Sequence, residues 1–205
     1  LIETNDMGVL LSTAENTIQL VPKRKCGGCN VCCHSLQIET TGLVKRPNER
    51  CHNLSKGGKC GLYPDWPSLC QEYFCAWRAL PDLSDEWRPD KMNVLLEFSQ
   101  ENFPPPFSGR TGFRITILDK SRVRSKYKLA TFVASQIKNG VPCILSYGNN
   151  RGENPATVFL NVALQRAVMS GQNKAISQEI LKAVNFCEKM PKQKTIIEDG
   201  KIIDL

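Results

Sequence analysis

From residue 91 onward the apolar positions recur with two distinct periods. In GFRITILD, residues 112–119, Phe113, Ile115 and Ile117 alternate with Arg114, Thr116 and Leu118, the two-residue period of a strand. LLEF at 95–98 reads as a strand before it, and PPPFSGRTG at 104–112 as the loop between them. Over SKYKLATFVASQIKNG, 125–140, Tyr127, Ala130, Val133, Ala134 and Ile137 fall at helical spacing, and Gly140 ends the run. VPCILSYG (141–148) and ATVFLNV (156–162) read as strands about the turn NNRGENP. SQEILKAVNFCEKM, 177–190, reads as a helix with Ile180, Leu181, Val184 and Cys187 on one side. KQKTIIEDGKIIDL then closes the chain as a hairpin turning at Asp199-Gly200. The order predicts an α+β fold: a small antiparallel sheet with packed helices over 91–205.

Before residue 91 no such period exists, and cysteine takes its place. An N-terminal segment, 1–25, precedes a loop-rich region, 26–90, that holds eight of the ten cysteines: Cys26, Cys29, Cys32, Cys33, Cys51, Cys60, Cys70 and Cys75. Both histidines, His34 and His52, directly follow cysteines here. Two cysteines separated by two residues turn their sulfurs toward one point if the backbone curls between them, and Gly27-Gly28 permits that curl. Gly57, Gly58 and Gly61 repeat the arrangement around Cys60. A disulfide framework is the alternative, but the chain is neither short nor visibly secreted, and adjacent Cys32 and Cys33 strain simple pairing schemes. Metal binding is the expected use of these thiols, with the 91–205 portion packed on the region that binds it.

Spacing leaves the metal open. An even C-x2-C-x2-C triplet is at home around an iron–sulfur cluster, with a distant fourth cysteine completing the ligand set. Eight thiolates also divide into two four-cysteine zinc sites. Adjacent side chains diverge on helix and strand alike, so Cys32 and Cys33 are not expected to chelate one ion in the same way. His34 and His52 are expected as donors to sulfur or as surface groups. Tyr63, Trp66, Tyr73, Phe74 and Trp77 interleave with the last cysteines, either as a water-excluding shell or as the core of a segment short of large side chains.

The stretch from Cys26 to Trp77 resembles the CxxCxxCC cysteine-cluster family, a zinc- or iron-chelating domain. The similarity rests on CGGCNVCC at 26–33, CHNL at 51–54, KCGLYPDWPSLC at 59–70 and EYFCAW at 72–77, with LSDEWRPDK at 83–91 like the continuation in small bacterial members. It implies a metal site in a bacterial cytoplasmic protein, the eight cysteines as ligands, and no settled reaction. A flagellin lysine methylase carries a related cluster, so an iron–sulfur electron carrier or methylase-like enzyme stands as an alternative to a binding or accessory module with a protein partner.

Composition narrows the classes further. The net charge of +7 comes from 27 basic and 20 acidic residues spread along the chain. The run Lys120, Arg122, Arg124, Lys126 and Lys128 reads as an exposed face; a regulatory nucleic-acid-associated protein is the third reading, and nucleic acid is not the expected partner. Gly109 and Gly112 have GXXG form but open a strand after three prolines instead of joining two helices. Cys143 and Cys187 lie in apolar patterns and are expected to act as small hydrophobes. No Ser-His-Asp constellation, phosphate-cradling GxxxxGK[ST] or dinucleotide G-x-G-x-x-G is available. No stretch suits a membrane span and no secretion signal opens the chain, so a cytoplasmic location is expected; the first residue, Leu rather than Met, leaves room for upstream processing.

Overall fold

The cysteine-rich half orders itself in pieces too short to stand alone. The computed structural model describes residues 18–123 and 125–205, so most of the N-terminal segment, and Arg124 of the basic run, lie outside the described residues. Helix α1 spans Val31–Ser35, a hairpin pairs β1 (Ile38–Thr40) with β2 (Leu43–Lys45), and α2 (Ser68–Glu72) and α3 (Ala76–Ala79) follow. A 3-10 turn at Asp85–Trp87 leads into α4, Pro89–Met92. Pro89 opens α4 at the position where a missing N–H costs nothing, and Asn93 closes it in the left-handed region at φ 59°.

The second half carries the main sheet. Strands β3 (Val94–Ser99), β4 (Gly112–Ile117), β5 (Cys143–Tyr147) and β6 (Ala156–Phe159) lie side by side in that order. The α+β class holds, with one correction to the expected all-antiparallel pairing. β3–β4 and β5–β6 are antiparallel, while β4–β5 is parallel. Helix α5 (Lys126–Lys138) sits between β4 and β5, and a helical connection of that length brings the chain back to start a parallel neighbour. Ser125 caps α5 by accepting the Lys128 N–H at 3.2 Å.

Register puts Val94, Leu96 and Phe98 on one face with Phe113, Ile115 and Ile117, then with Cys143, Leu145 and Tyr147. Leu129, Ala130, Val133 and Ala134 of α5 join that core, as do Ile176, Ile180, Ala183, Val184 and Cys187 of α8, Asn173–Lys189. Cys143 and Cys187 are fully buried among apolar neighbours, as their patterns predict. Tyr127 and Leu181, expected inward, are exposed; Leu129 and Ile176 take the buried stripe in their place.

The strand expected over 156–162 ends at Phe159, where the chain turns into α6 (Leu160–Ala163) and α7 (Gln165–Ser170). Asn161 explains the break: it is buried, its Oδ1 accepts the Cys143 N–H at 2.7 Å, and its Nδ2 donates to the Val141 carbonyl at 2.9 Å. A polar side chain spent on the start of β5 cannot continue an outward-facing strand. The final hairpin, β7 (Thr195–Glu198) and β8 (Lys201–Asp204), turns at Asp199-Gly200 with φ 49° and 74° as expected.

The GXXG glycines have structural work. Gly109 adopts φ 73° in the loop, and a Cβ on Gly112 would stand 2.1 Å from the Pro142 oxygen and 2.6 Å from its Cγ. Gly112→Ala therefore forces β4 and the Pro142 segment apart. A loss of about 1–3 kcal/mol is expected in denaturant unfolding, and an unchanged midpoint would contradict the close approach.

The cysteine region meets the sheet along β3 and beyond its turns. Cys75, Ala76, Trp77, Leu83, Trp87 and Met92 share the main core cluster, and the Tyr73 hydroxyl donates to Glu97 at 3.1 Å. Asn48 Nδ2 donates to the Gly148 and Glu153 carbonyls, both at 3.0 Å, and the Gly152 N–H reaches the Pro47 carbonyl at 2.9 Å. Among the described residues no helix is long and apolar enough to cross a membrane.

Candidate metal centre

Electrostatic coupling and backbone contacts link the eight cysteines of 26–75 in two groups of four that also touch each other. All ten cysteines of the chain are free thiols. In the first set, Gly27 at φ 56° bends the backbone so that the Cys29 N–H bonds the Cys26 carbonyl at 2.9 Å. Cys32 follows on α1. Cys75 comes from the residue before α3, whose Arg78 donates from Nη1 to the Cys26 sulfur at 3.7 Å and from its N–H to the Cys75 carbonyl at 2.9 Å. Cys26 and Cys29 both act electrostatically on Cys32, and Cys26 acts on Cys75.

In the second set, the Cys51 N–H donates to the Cys33 carbonyl at 2.8 Å. Cys33 and Cys70 pack against a small apolar cluster of Ile38, Leu43, Cys51 and Leu54. Cys60 faces Leu54 of that cluster across an antiparallel bridge. Cys33, Cys51 and Cys60 all raise the Cys70 thiol electrostatically, after burial, which is the larger cause.

Cys32 couples to Cys26 and Cys29, and Cys33 to Cys51 and Cys70, while successive helical positions diverge by about 100°. They still feel each other. Contact from the Cys32 thiol holds Cys33 down to about 7, while that contact, followed by burial, pushes Cys32 far up. Burial also raises Cys29, to about 11, and Cys75. Crowded, half-buried thiols hold their protons because each new negative charge meets its neighbours and little water. A soft cation reverses that balance by displacing the protons and turning repulsion into bonds.

No protein-family profile, curated protein or solved structure matches the chain. Among the described residues no three of the His, Cys, Asp and Glu side chains group so as to hold an ion as they stand. Protonated thiols have no mutual attraction that would draw four of them into a shell of about 2.3 Å radius around one point. The donors fit a soft metal in kind and number, four sulfurs per set.

Two further groups at the sets escape the cysteine pattern. Lys45 is only 2% exposed, and its Nζ donates to the Glu49 carbonyl at 2.7 Å and the Arg46 carbonyl at 3.2 Å. Burial lowers its pKa, and the negative potentials of Cys51, Cys33 and Glu49 oppose that fall. The signal lay in LVK at 43–45, where Lys45 is in phase with buried Leu43. Asp90 hydrogen-bonds the Cys29 thiol while Arg88 grips its carboxylate at 2.7 and 2.8 Å.

The other expectations divide. His34 and His52 are exposed, and His52 Nε2 lies 3.2 Å from Asn53 Nδ2. Among the interleaved aromatics, Trp77 is buried in the main core, whereas Tyr63 is 71% exposed and meets Trp66 in a tilted contact with ring centroids 5.2 Å apart. In the basic run, Lys120 pairs with Glu188 at 2.6 Å, Arg122 with Asp119 at 3.3 Å, and Lys128 with Glu86. That pairing is the behaviour of an exposed, salt-bridged face.

Proposed function

We propose that the chain is a metal-binding module that holds two zinc ions on eight thiolates, one on Cys26, Cys29, Cys32 and Cys75, the other on Cys33, Cys51, Cys60 and Cys70. The coupling of Cys32 to Cys26 and Cys29, and of Cys70 to Cys33, Cys51 and Cys60, supports this reading. Tetrahedral sulfur sites of zinc need four ligands each, and none is left over. The motif's resemblance to the CxxCxxCC cluster family points the same way, and the proposed role is an accessory module that presents a surface to a protein partner in the cytoplasm.

A second reading has its own observation. The first set consists of an even C-x2-C-x2-C triplet with one remote cysteine, the arrangement that suits an iron–sulfur cluster, and it would make the protein an electron carrier or a methylase-like enzyme. Metal analysis after anaerobic purification separates the two. A colourless protein with about two zinc per chain supports the first reading. About four iron with absorbance near roughly 400 nm supports the second. A chain that takes up neither metal on reconstitution overturns both.

A further inference from the structure

Beside the first cysteine group lies a cleft of about 330 Å³ whose charge is not balanced among the described residues. Lys23, Arg24 and Lys25 line it from one segment, Arg88 and Lys91 from another. Among the described residues Asp85 is the only carboxylate in the lining, and Asp90 offsets Arg88 from outside it. Five cations against these two carboxylates leave an excess of three positive charges.

The cations are differently employed. Arg24 donates to the carbonyls of Trp77 at 2.5 Å, Leu80 at 2.7 Å and Pro81 at 3.1 Å, and to that of Leu83, which fixes the segment without neutralising its charge. Lys23, Lys25 and Lys91 are exposed and, among the described residues, their side chains have no hydrogen bond or ion pair. Trp77 also lines the cleft, only 4% exposed, and its Nε1–H has no acceptor among the described residues.

Backbone conformation adds an independent mark. Lys23 follows Pro22 in a turn closed by the Arg24 N–H on the Val21 carbonyl at 3.2 Å, and it adopts φ 67°. Glycine or asparagine is favoured where such a turn requires positive φ. A lysine held there keeps a strained backbone and a cation at the mouth of the cleft.

We propose that this cleft binds a phosphate-bearing anion, either free inorganic pyrophosphate or the phosphate tail of a nucleotide. Three unpaired ammonium groups offer charge-assisted hydrogen bonds to several oxygens on one compact ligand, and the volume falls at the lower end of small-molecule sites. A singly charged carboxylate would leave most of the excess charge uncompensated. The site stands independently of which metal the thiols take.

Calorimetric titration of the full, metal-loaded chain with pyrophosphate tests it, with ATP and AMP as parallel arms and metal content measured on every sample. Saturable binding that weakens with added salt is expected; pyrophosphate matching ATP assigns the affinity to phosphate alone, and tighter ATP assigns the nucleotide as the source. Lys23→Gly removes the cation and relaxes the turn, so affinity should fall about tenfold while the melting temperature holds or rises. Lys25→Ala with Lys91→Ala should abolish binding at unchanged metal content. No saturable binding by the parent chain overturns the proposal, as does unaltered affinity in these variants. Loss of metal from the double variant with pyrophosphate binding intact would show that the lysines offset thiolate charge instead. Binding of a single-stranded oligonucleotide without pyrophosphate binding would equally overturn it.

Discussion

Removing metal with a chelator is expected to melt residues 30–75 while the four-stranded sheet stays folded. The cysteine region has little else to hold it. Its second apolar cluster contains four buried residues, Ile38, Leu43, Cys51 and Leu54, and its helices α1 and α2 are five residues each. Isolated helices shorter than about 12 residues are marginal in water, and so is a lone hairpin of two three-residue strands. Zinc ligation by thiolates contributes on the order of 10 kcal/mol at neutral pH, enough to order such a segment. By contrast β3, β4 and β5 lie in a core that includes fully buried Leu95, Ile115 and Leu145.

The two sets should also separate genetically. Cys29→Ser is expected to lose the first metal and Cys70→Ser the second, each variant retaining about one zinc per chain. Hydrogen exchange reads the consequence by segment: amides of β1 and β2 lose protection on chelation, and those of β4 and β5 keep it. Unchanged protection after complete metal removal would mean that the region folds on its own side chains. Loss of both metals in either single variant would mean one shared site.

Legibility in the sequence followed the strength of the physical signal at each position. Phe113, Ile115 and Ile117 alternate because one face of β4 meets a helical layer, and alternation is visible without the partner. The parallel β4–β5 pairing is not visible in that way, since the same residues serve either direction and only the crossover decides. Asn161 was hidden for a related reason: in ATVFLNV it reads as one polar position in a strand, while its buried hydrogen bonds to Cys143 and Val141 belong to the tertiary fold. The cysteines are conspicuous by type, yet their division into sets depends on contacts between residues as far apart as Cys26 and Cys75. Lys45 shows the limit most clearly. A lysine in strand phase with leucine is ordinarily a surface residue whose neighbour happens to be buried, and only the thiols around it give it another role.

Lys45→Met is expected to weaken metal binding at Cys33, Cys51, Cys60 and Cys70 by about 10–100-fold, the usual cost of losing a group that supports metal ligands. An ammonium almost completely removed from water needs a counter-charge, and no carboxylate forms an ion pair with Lys45 among the described residues: Glu49 gives its side chain to Arg46 and Arg151. Sulfur supplies the opposing charge once the thiols ionise around a cation. Four thiolates on a divalent ion carry two excess negative charges, and the buried ammonium offsets one of them. Methionine preserves length and apolar bulk while the charge is lost. Lys45→Gln separates charge from hydrogen bonding, because its amide can still donate to the Glu49 carbonyl. If charge is what matters, both variants release the second metal to a competing chelator at similar concentrations, and the first metal stays in both. If only the carbonyl contacts matter, Lys45→Gln retains parent affinity and Lys45→Met loses about 1–3 kcal/mol of folding stability with metal affinity unchanged. That second pattern would remove the charge-compensating role of Lys45 and leave the thiols to balance their ion alone.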